Sequence, residues 1–349
     1  MTTVRMADGV SGVVVGVDTH ADVHVAAALD PLGRHLGTLE IATTTRGYEQ
    51  LLRWAKTFGP VTRFGVEGTG SYGAGLARHL AGAGCTVTEI NRPDRRARRA
   101  RGKSDPLDAE AAARAVLAGA AQAIPKADHD RVGMIRTVRV ARRSALKMRI
   151  QVSNQMAALV VTAPDPLRDQ LRSLSLAHLV RVCAMLRPGA VSTPTAASKL
   201  ALRSLALRHQ GLCSELEMID RELARLTREA APALSDLTGV GPDVAGALLV
   251  AAGDNPDRLR SDSAFASLCG ASPVPASSGK TNRYRLNRGG DRIANNALWR
   301  IVMVRLTCDA RTQAYVARRT AEGMSKREII RCLKRYVARE VFHALLDKA

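Results

Sequence analysis

"GVVVGVDTHADVHVAAALDPLGRHLGTLEIA", residues 12–42, reads as three consecutive strands. "GVVVGVD" is rich in β-branched valine, "VHVAAALD" and "HLGTLEIA" follow it, and "DPLGR" supplies the turn between those two. Downstream come a helix at "RGYEQLLRWAKTF", a strand at "RFGVE", a helix at "YGAGLARHLAGAG" and a strand at "TVTEI". The order βββαβαβα predicts a mixed sheet with helices on its faces, ending near Ala123.

The last helix of that segment opens on "KSDPLDAEAAARAVLAG", residues 103–119. Ser104 or Asp105 suits an N-cap, Pro106 suits the first turn, and early acids favour the positive end of the helix dipole. A cap needs one acid, whereas Asp105 and Asp108 share a helix face and repel each other unless a cation intervenes. Two further acids bear on the choice: Asp18 ends the first strand, and Glu67 ends "RFGVE" before "GTGSYG". With the first strand central and Glu67 on its neighbour, the closing helix folds back over the same edge, and four carboxylates converge. Such a cluster calls for hard divalent cations, Mg²⁺ or Mn²⁺, often as a pair flanking a phosphodiester. His20 and His24, near Asp18, read as structural or surface groups rather than ligands.

Charge points the same way. The 349 residues carry 52 basic and 32 acidic side chains, a net charge of +20, which favours a polyanionic partner such as nucleic acid. Only nine of the 52 basic residues are lysine, and arginine suits bidentate phosphate contacts. The six cysteines form no C-x-x-C pair, so neither a disulfide framework nor a zinc knuckle is indicated. No signal pattern or long apolar span stands out, which predicts a cytoplasmic protein with no membrane partner.

Three domains are expected, at residues 1–125, 126–231 and 232–349. In the middle one strand signals vanish, and Leu212, Leu216, Ile219, Leu223 and Leu226 repeat at coiled-coil spacing. An earlier helix carries Val138, Ala141, Ala145, Met148, Val152 and Leu159, so the two can pair antiparallel, as a plain hairpin or as a dimerisation arm. The third domain opens on "LTGVGPDVAGALLVAAGD", a helix-hairpin-helix pattern whose turn can grip a phosphate. An irregular basic loop, "CGASPVPASSGKTNRYRLNRGGDRIANNAL", and a basic helix pair over residues 309–347 complete the chain.

Strand-end "GVD", then "VEGTG", then helix-start "DPLD" resemble the RuvC-like branch of the RNase H superfamily, and more closely the DEDD insertion-sequence transposases. The likeness extends through "LTGVGP", "GASP", Ser278-Gly279 and "LNRGGDRIANNAL". It implies an α/β RNase H-like N-terminal domain, a helical coiled-coil middle and a mostly α C-terminal domain. It further implies a recombinase with metal ligands Asp18, Glu67, Asp105 and Asp108, and Ser278 as nucleophile. From spacing alone, Ser272 and Ser277 serve equally well. The partners implied are donor and target DNA, a structured guide RNA, and further copies of the chain in a dimer or tetramer. One departure from the family pattern is Gly68, expected to loosen the loop after Glu67. Two other readings compete: a RuvC-like junction nuclease that cuts with water, and a non-catalytic nucleic-acid scaffold.

Basic runs supply the expected nucleic-acid contacts. "NRPDRRARRARGK" places Arg95, Arg96, Arg98, Arg99, Arg101 and Lys103 just before the acidic pair. A helical wheel over residues 131–149 puts Arg136, Arg139 and Arg143 on one face with Arg142 beside them. Lys280, Arg283, Arg285, Arg288 and Arg292 follow Ser278 as clamps. Aromatic residues make up only 3%, too few to predict a stacking platform for unpaired bases.

Overall fold

Valine-rich strands and alanine-rich helices build the first of two units. The computed structural model describes residues 12–90, 104–127, 130–278 and 284–347 and divides into residues 1–129 and 130–349. In the first unit β1 (Val13–Thr19), β2 (Val23–Leu29), β3 (His35–Ala42), β4 (Val61–Glu67) and β5 (Val87–Ile90) form one sheet in the order β3-β2-β1-β4-β5. The meander β1-β2-β3 is antiparallel, while β4 and β5 run parallel to β1. This is the mixed sheet with helices that the element order predicts.

Alternation along β1 divides the core into two layers. Val13, Val15 and Val17 face α1 (Thr45–Lys56) and α2 (Ala74–Gly82), packing with Leu51, Ala55, Leu76 and Leu80. The opposite face meets α3 (Asp105–Leu117), whose Ala109, Ala112, Ala113 and Val116 are buried. Glycine allows α3 to lie this close. A Cβ on Gly16 would fall 2.1 Å from the Ala109 carbonyl oxygen, and one on Gly65 would fall 2.7 Å from Val116 Cγ2. The helix therefore docks backbone to backbone on β1 and β4.

The second unit is mostly helical. It contains α4 (Arg131–Thr162), α5 (Asp165–Leu171), α6 (Leu176–Ala184), α7 (Pro194–Ala230), α8 (Pro232–Ser235), α9 (Pro242–Ala252) and α10 (Asp262–Leu268). The short hairpin β6 (Val274–Pro275) and β7 (Tyr284–Arg285) precedes α11 (Arg292–Cys308), α12 (Ala310–Ala321) and α13 (Lys326–Leu346). Among the described residues no helix is long and apolar enough to cross a membrane.

Helices α4 and α7 run antiparallel, with Arg131 donating to the Glu229 carbonyl at one level and Arg142 paired with Asp220 at another. All five heptad residues of α7 are buried. On α4 the expected stripe does not hold: Ala141 and Met148 are exposed, and the buried set includes Val132, Ile135, Arg139, Ala145, Val152 and Met156. The cause is that α4 is covered by α7 and also by α9, so no single period describes its buried positions.

Two further corrections concern the loops. Residues 292–298, read from sequence as loop, open α11, capped by the Asp291 carboxylate accepting from the Ile293 and Ala294 amides. Gly68 does not loosen its loop. It sits at φ +59°, and its carbonyl accepts from Ser71 and Gly73, so it shapes the tight turn that follows Glu67.

Candidate metal centre

The register of the sheet decides where the acids of the first unit lie. Val17 pairs with Val66 across β1 and β4, so Asp18 and Glu67 come next on parallel neighbouring strands. Gly16 and Gly65 both face α3, and alternation carries that face on to Asp18 and Glu67. Helix α3 runs against β1. Ala109 and Ala113 lie over Gly16, and Leu117 reaches Gly33 beyond the other end of the strand. The first turn of α3, with Asp105 and Asp108, thus sits at the end of β1 that carries Asp18.

The first turn of α3 also shows what the acidic pair is not. Ser104 holds the N-cap position, its side chain makes no capping hydrogen bond, and Asp105 and Asp108 lie inside the helix. Instead of capping, Asp105 faces His20, whose Nε2 stands 3.5 Å from Asp105 Oδ2 and 3.2 Å from Asp18 Oδ2. One donor atom from each of Asp18, His20 and Asp105 falls within 4.8 Å of the others. Asp108 is buried and Glu67 half-buried at the same end of the sheet, outside that tight group. The Thr19 hydroxyl ties the strand ends together by donating to the Glu67 carbonyl at 3.0 Å.

Burial pushes the Asp18 carboxyl above its ordinary range; His20 opposes that shift, while Asp108 and Asp105 add to it. Two carboxylate oxygens and an imidazole nitrogen at one point, with two more carboxylates beside them, form a donor set that suits a divalent cation. His20 keeps an exposed side chain, as its surface reading expects, and its Nε2 also belongs to this group. The signal available in sequence was its place two residues past the strand-end Asp18.

In the second unit Ser278 is exposed in the loop after β6. Arg285, Arg288 and Arg292 are exposed near it in sequence, Arg143 is exposed on α4, and Arg136 is half-buried. Two arginines placed on the basic ridge turn inward instead. Arg139 is 7% exposed, with Nη2 3.2 Å from Asp243 Oδ1, and Arg142 pairs with both Asp220 and Asp243. Arg300 closes the cluster at 2.5 Å from Asp243 Oδ2. Burial alone would raise the Asp243 carboxyl, but the Arg300 hydrogen bond and the charges of Arg139 and Arg142 hold it below its ordinary range. Arg95, Arg96, Arg98, Arg99, Arg101, Lys103, Lys280 and Arg283 lie outside the described residues.

Residues 15–163 match the DEDD-type IS110 family model, described as a transposase, and residues 231–317 match the transposase family IS116/IS110/IS902. A comparison with curated proteins finds no match.

Proposed function

The chain belongs to the IS116/IS110/IS902 family of insertion-sequence transposases, and from that premise we propose that it cuts and rejoins DNA strands through a serine-linked intermediate, directed by a structured RNA. The observation that carries this reading is the grouping of Asp18, His20 and Asp105 at one strand end. In it Asp18 and Asp105 are the inner oxygen donors, Glu67 and Asp108 extend the set, and His20 keeps the two inner carboxylates facing each other. A bound Mg²⁺ or Mn²⁺ would supply charge stabilisation to a phosphodiester in transfer.

The covalent step falls to Ser278. Its hydroxyl oxygen attacks phosphorus, the Oγ–P bond forms as the P–O bond to the departing sugar oxygen breaks, and the hydroxyl proton ends on that oxygen. The phosphoserine ester keeps the bond energy, so rejoining needs no nucleotide cofactor. Exposed arginines, among them Arg143, Arg285, Arg288 and Arg292, hold the phosphate backbone. Sequence choice belongs to the RNA. The α4–α7 pair acts as a coiled-coil arm between copies of the chain in a dimer or tetramer, and the turn between α8 and α9 serves as a helix-hairpin-helix.

The test is adduct trapping with DNA, Mg²⁺ and the RNA that copurifies. Wild type is expected to yield a covalent protein–DNA species that Ser278→Ala lacks. Asp18→Asn is expected to lose cleavage by roughly 10²–10³-fold. Undiminished cleavage by Ser278→Ala without an adduct would establish hydrolysis by a junction nuclease instead. Copurification of no discrete RNA would overturn guidance.

A further inference from the structure

Aromatic side chains are scarce, yet three gather on one side of the second unit. Trp299 lines a cavity of about 460 Å³, while Tyr284 and Tyr336 line a second of about 330 Å³. The two cavities share Gly270, Leu286, Asn287, Arg331 and Lys334, so they form one continuous groove. Its walls come from helical spacing: Arg292, Asn295 and Trp299 on α11 stand opposite Arg327, Arg331 and Lys334 on α13.

The charge of this groove is one-sided. No carboxylate lines either part among the described residues. A neighbouring cavity of about 560 Å³ is different, since Asp236, Asp309 and Glu340 share it with Arg305, Arg311 and Arg318. Arg288, Arg292, Arg327 and Arg331 make no ion pair among the described residues. Lys334 donates to Asn295 Oδ1 at 3.0 Å, and burial, with Arg331 beside it, holds its ammonium below the ordinary range. Cations gathered where no carboxylate lines the wall suit a phosphate.

The ring and the amides indicate what accompanies that phosphate. Trp299 is 42% exposed on a helix whose other face is buried through Ala294, Ala297, Leu298 and Ile301. A flat exposed ring beside guanidiniums is a stacking surface for a base. Asn287 is already committed to the Ser267 carbonyl and the Gly289 amide, and Asn295 to the Cys269 carbonyl and Lys334. The oxygen and the amide nitrogen of each are thus held by the fold, which fixes their orientation rather than leaving them to adapt to a base edge.

We propose that this groove holds a nucleotide of an unpaired nucleic-acid strand, its phosphates among Arg288, Arg292, Arg331 and Lys334 and its base against Trp299, without selecting base identity. The proposal deepens the strand-exchange reading, which supplies the unpaired strand, but its test uses binding alone.

The chain has two tryptophans, so Trp54→Phe leaves Trp299 as the sole tryptophan, excited selectively at the red edge of its absorption. Titration of that variant with a short oligothymidylate or oligouridylate is expected to quench its emission. The same oligomer made abasic, and a blunt duplex, are expected not to. The relative response to DNA and RNA identifies which strand the groove holds. In the wild-type background Trp299→Ala is expected to weaken single-strand affinity by about 10-fold, with duplex affinity and circular dichroism unchanged. Equal quenching by the abasic oligomer, or unchanged single-strand affinity in Trp299→Ala, would overturn the proposal. Quenching by a protein that never forms the Ser278 adduct would sink strand transfer and leave the groove standing; adduct formation without quenching would do the reverse.

Discussion

Two aspartates, one buried in the first unit and one half-buried in the second, are treated in opposite ways. Asp243 sits among Arg139, Arg142 and Arg300, and these guanidiniums outweigh the penalty of burial and hold its carboxyl low. Asp18 is buried, Asp108 and Asp105 add to the upward push of that burial, and His20 opposes it without reversing the shift. The first arrangement is complete within the chain and fastens α4 to α9 and α11. The second keeps a raised carboxyl among further acids, the kind of perturbed group that marks a candidate cation site.

The contrast is tested most severely at Asp243. Asp243→Ala leaves buried Arg139 without a partner and is expected to cost about 3–5 kcal/mol of unfolding free energy, measured by denaturant titration. The folded-state pKa of Asp243 lies below its ordinary 3.8, so its contribution is present above that value and is lost as pH falls through the lowered one. The stability difference between wild type and Asp243→Asn should accordingly shrink in acid; a difference that grows would contradict the pairing.

At the other aspartate, added cation should do what arginine does at Asp243. Saturating Mg²⁺ or Mn²⁺ is expected to raise the melting temperature, equivalent to about 2.7 kcal/mol at a hundredfold excess over Kd. Asp18→Asn and Asp105→Asn should abolish the rise. An equal rise in both variants would place the ion elsewhere.

Gly16→Ala sharpens the comparison without touching an acid. Its Cβ would strike the α3 backbone, so a loss of about 1–3 kcal/mol is expected, and cation-dependent stabilisation should fall with it as Asp105 leaves Asp18. Gly82→Ala, where nothing lies within 4 Å of the added carbon, serves as the control with no such loss. The smallest effect is expected from Arg143→Ala, which removes an exposed charge next to the inward arginines. Unfolding should be unchanged, while the salt dependence of DNA binding should flatten by a slope of about 1.

Much of the first unit was legible because strand alternation and a short alanine-rich helix each obey a single period. Asp18, Asp105 and Asp108 could be marked as strand-end and helix-start acids for that reason, and the sheet order brings those positions to one end. His20 was legible only by its place two residues past the strand-end Asp18, because a lone histidine beside a strand has no periodic pattern to distinguish it. The inward turn of Arg139 was hidden too: α4 is covered on two sides, and a helical wheel assumes one. Aromatic content hid the groove, since a percentage averages over the chain while Trp299, Tyr284 and Tyr336 come to line adjoining cavities only through folding. The start of α11 was in principle readable, because Asp291 before a run of helix formers is an N-cap signal.

The hairpin of α4 and α7 has a consequence beyond stability. Apolar side chains near its root, Ile135 and Leu223 among them, belong to one core, while Ala145, Val152, Leu212 and Leu216 belong to another. The charged layer of Arg139, Arg142 and Asp220 lies between them. Smooth leucine seams can slip by a heptad at little cost, but slippage here would push guanidiniums against hydrocarbon. That layer therefore works as a locating pin, fixing how far the two helices are drawn past each other and hence where the tip of the hairpin ends.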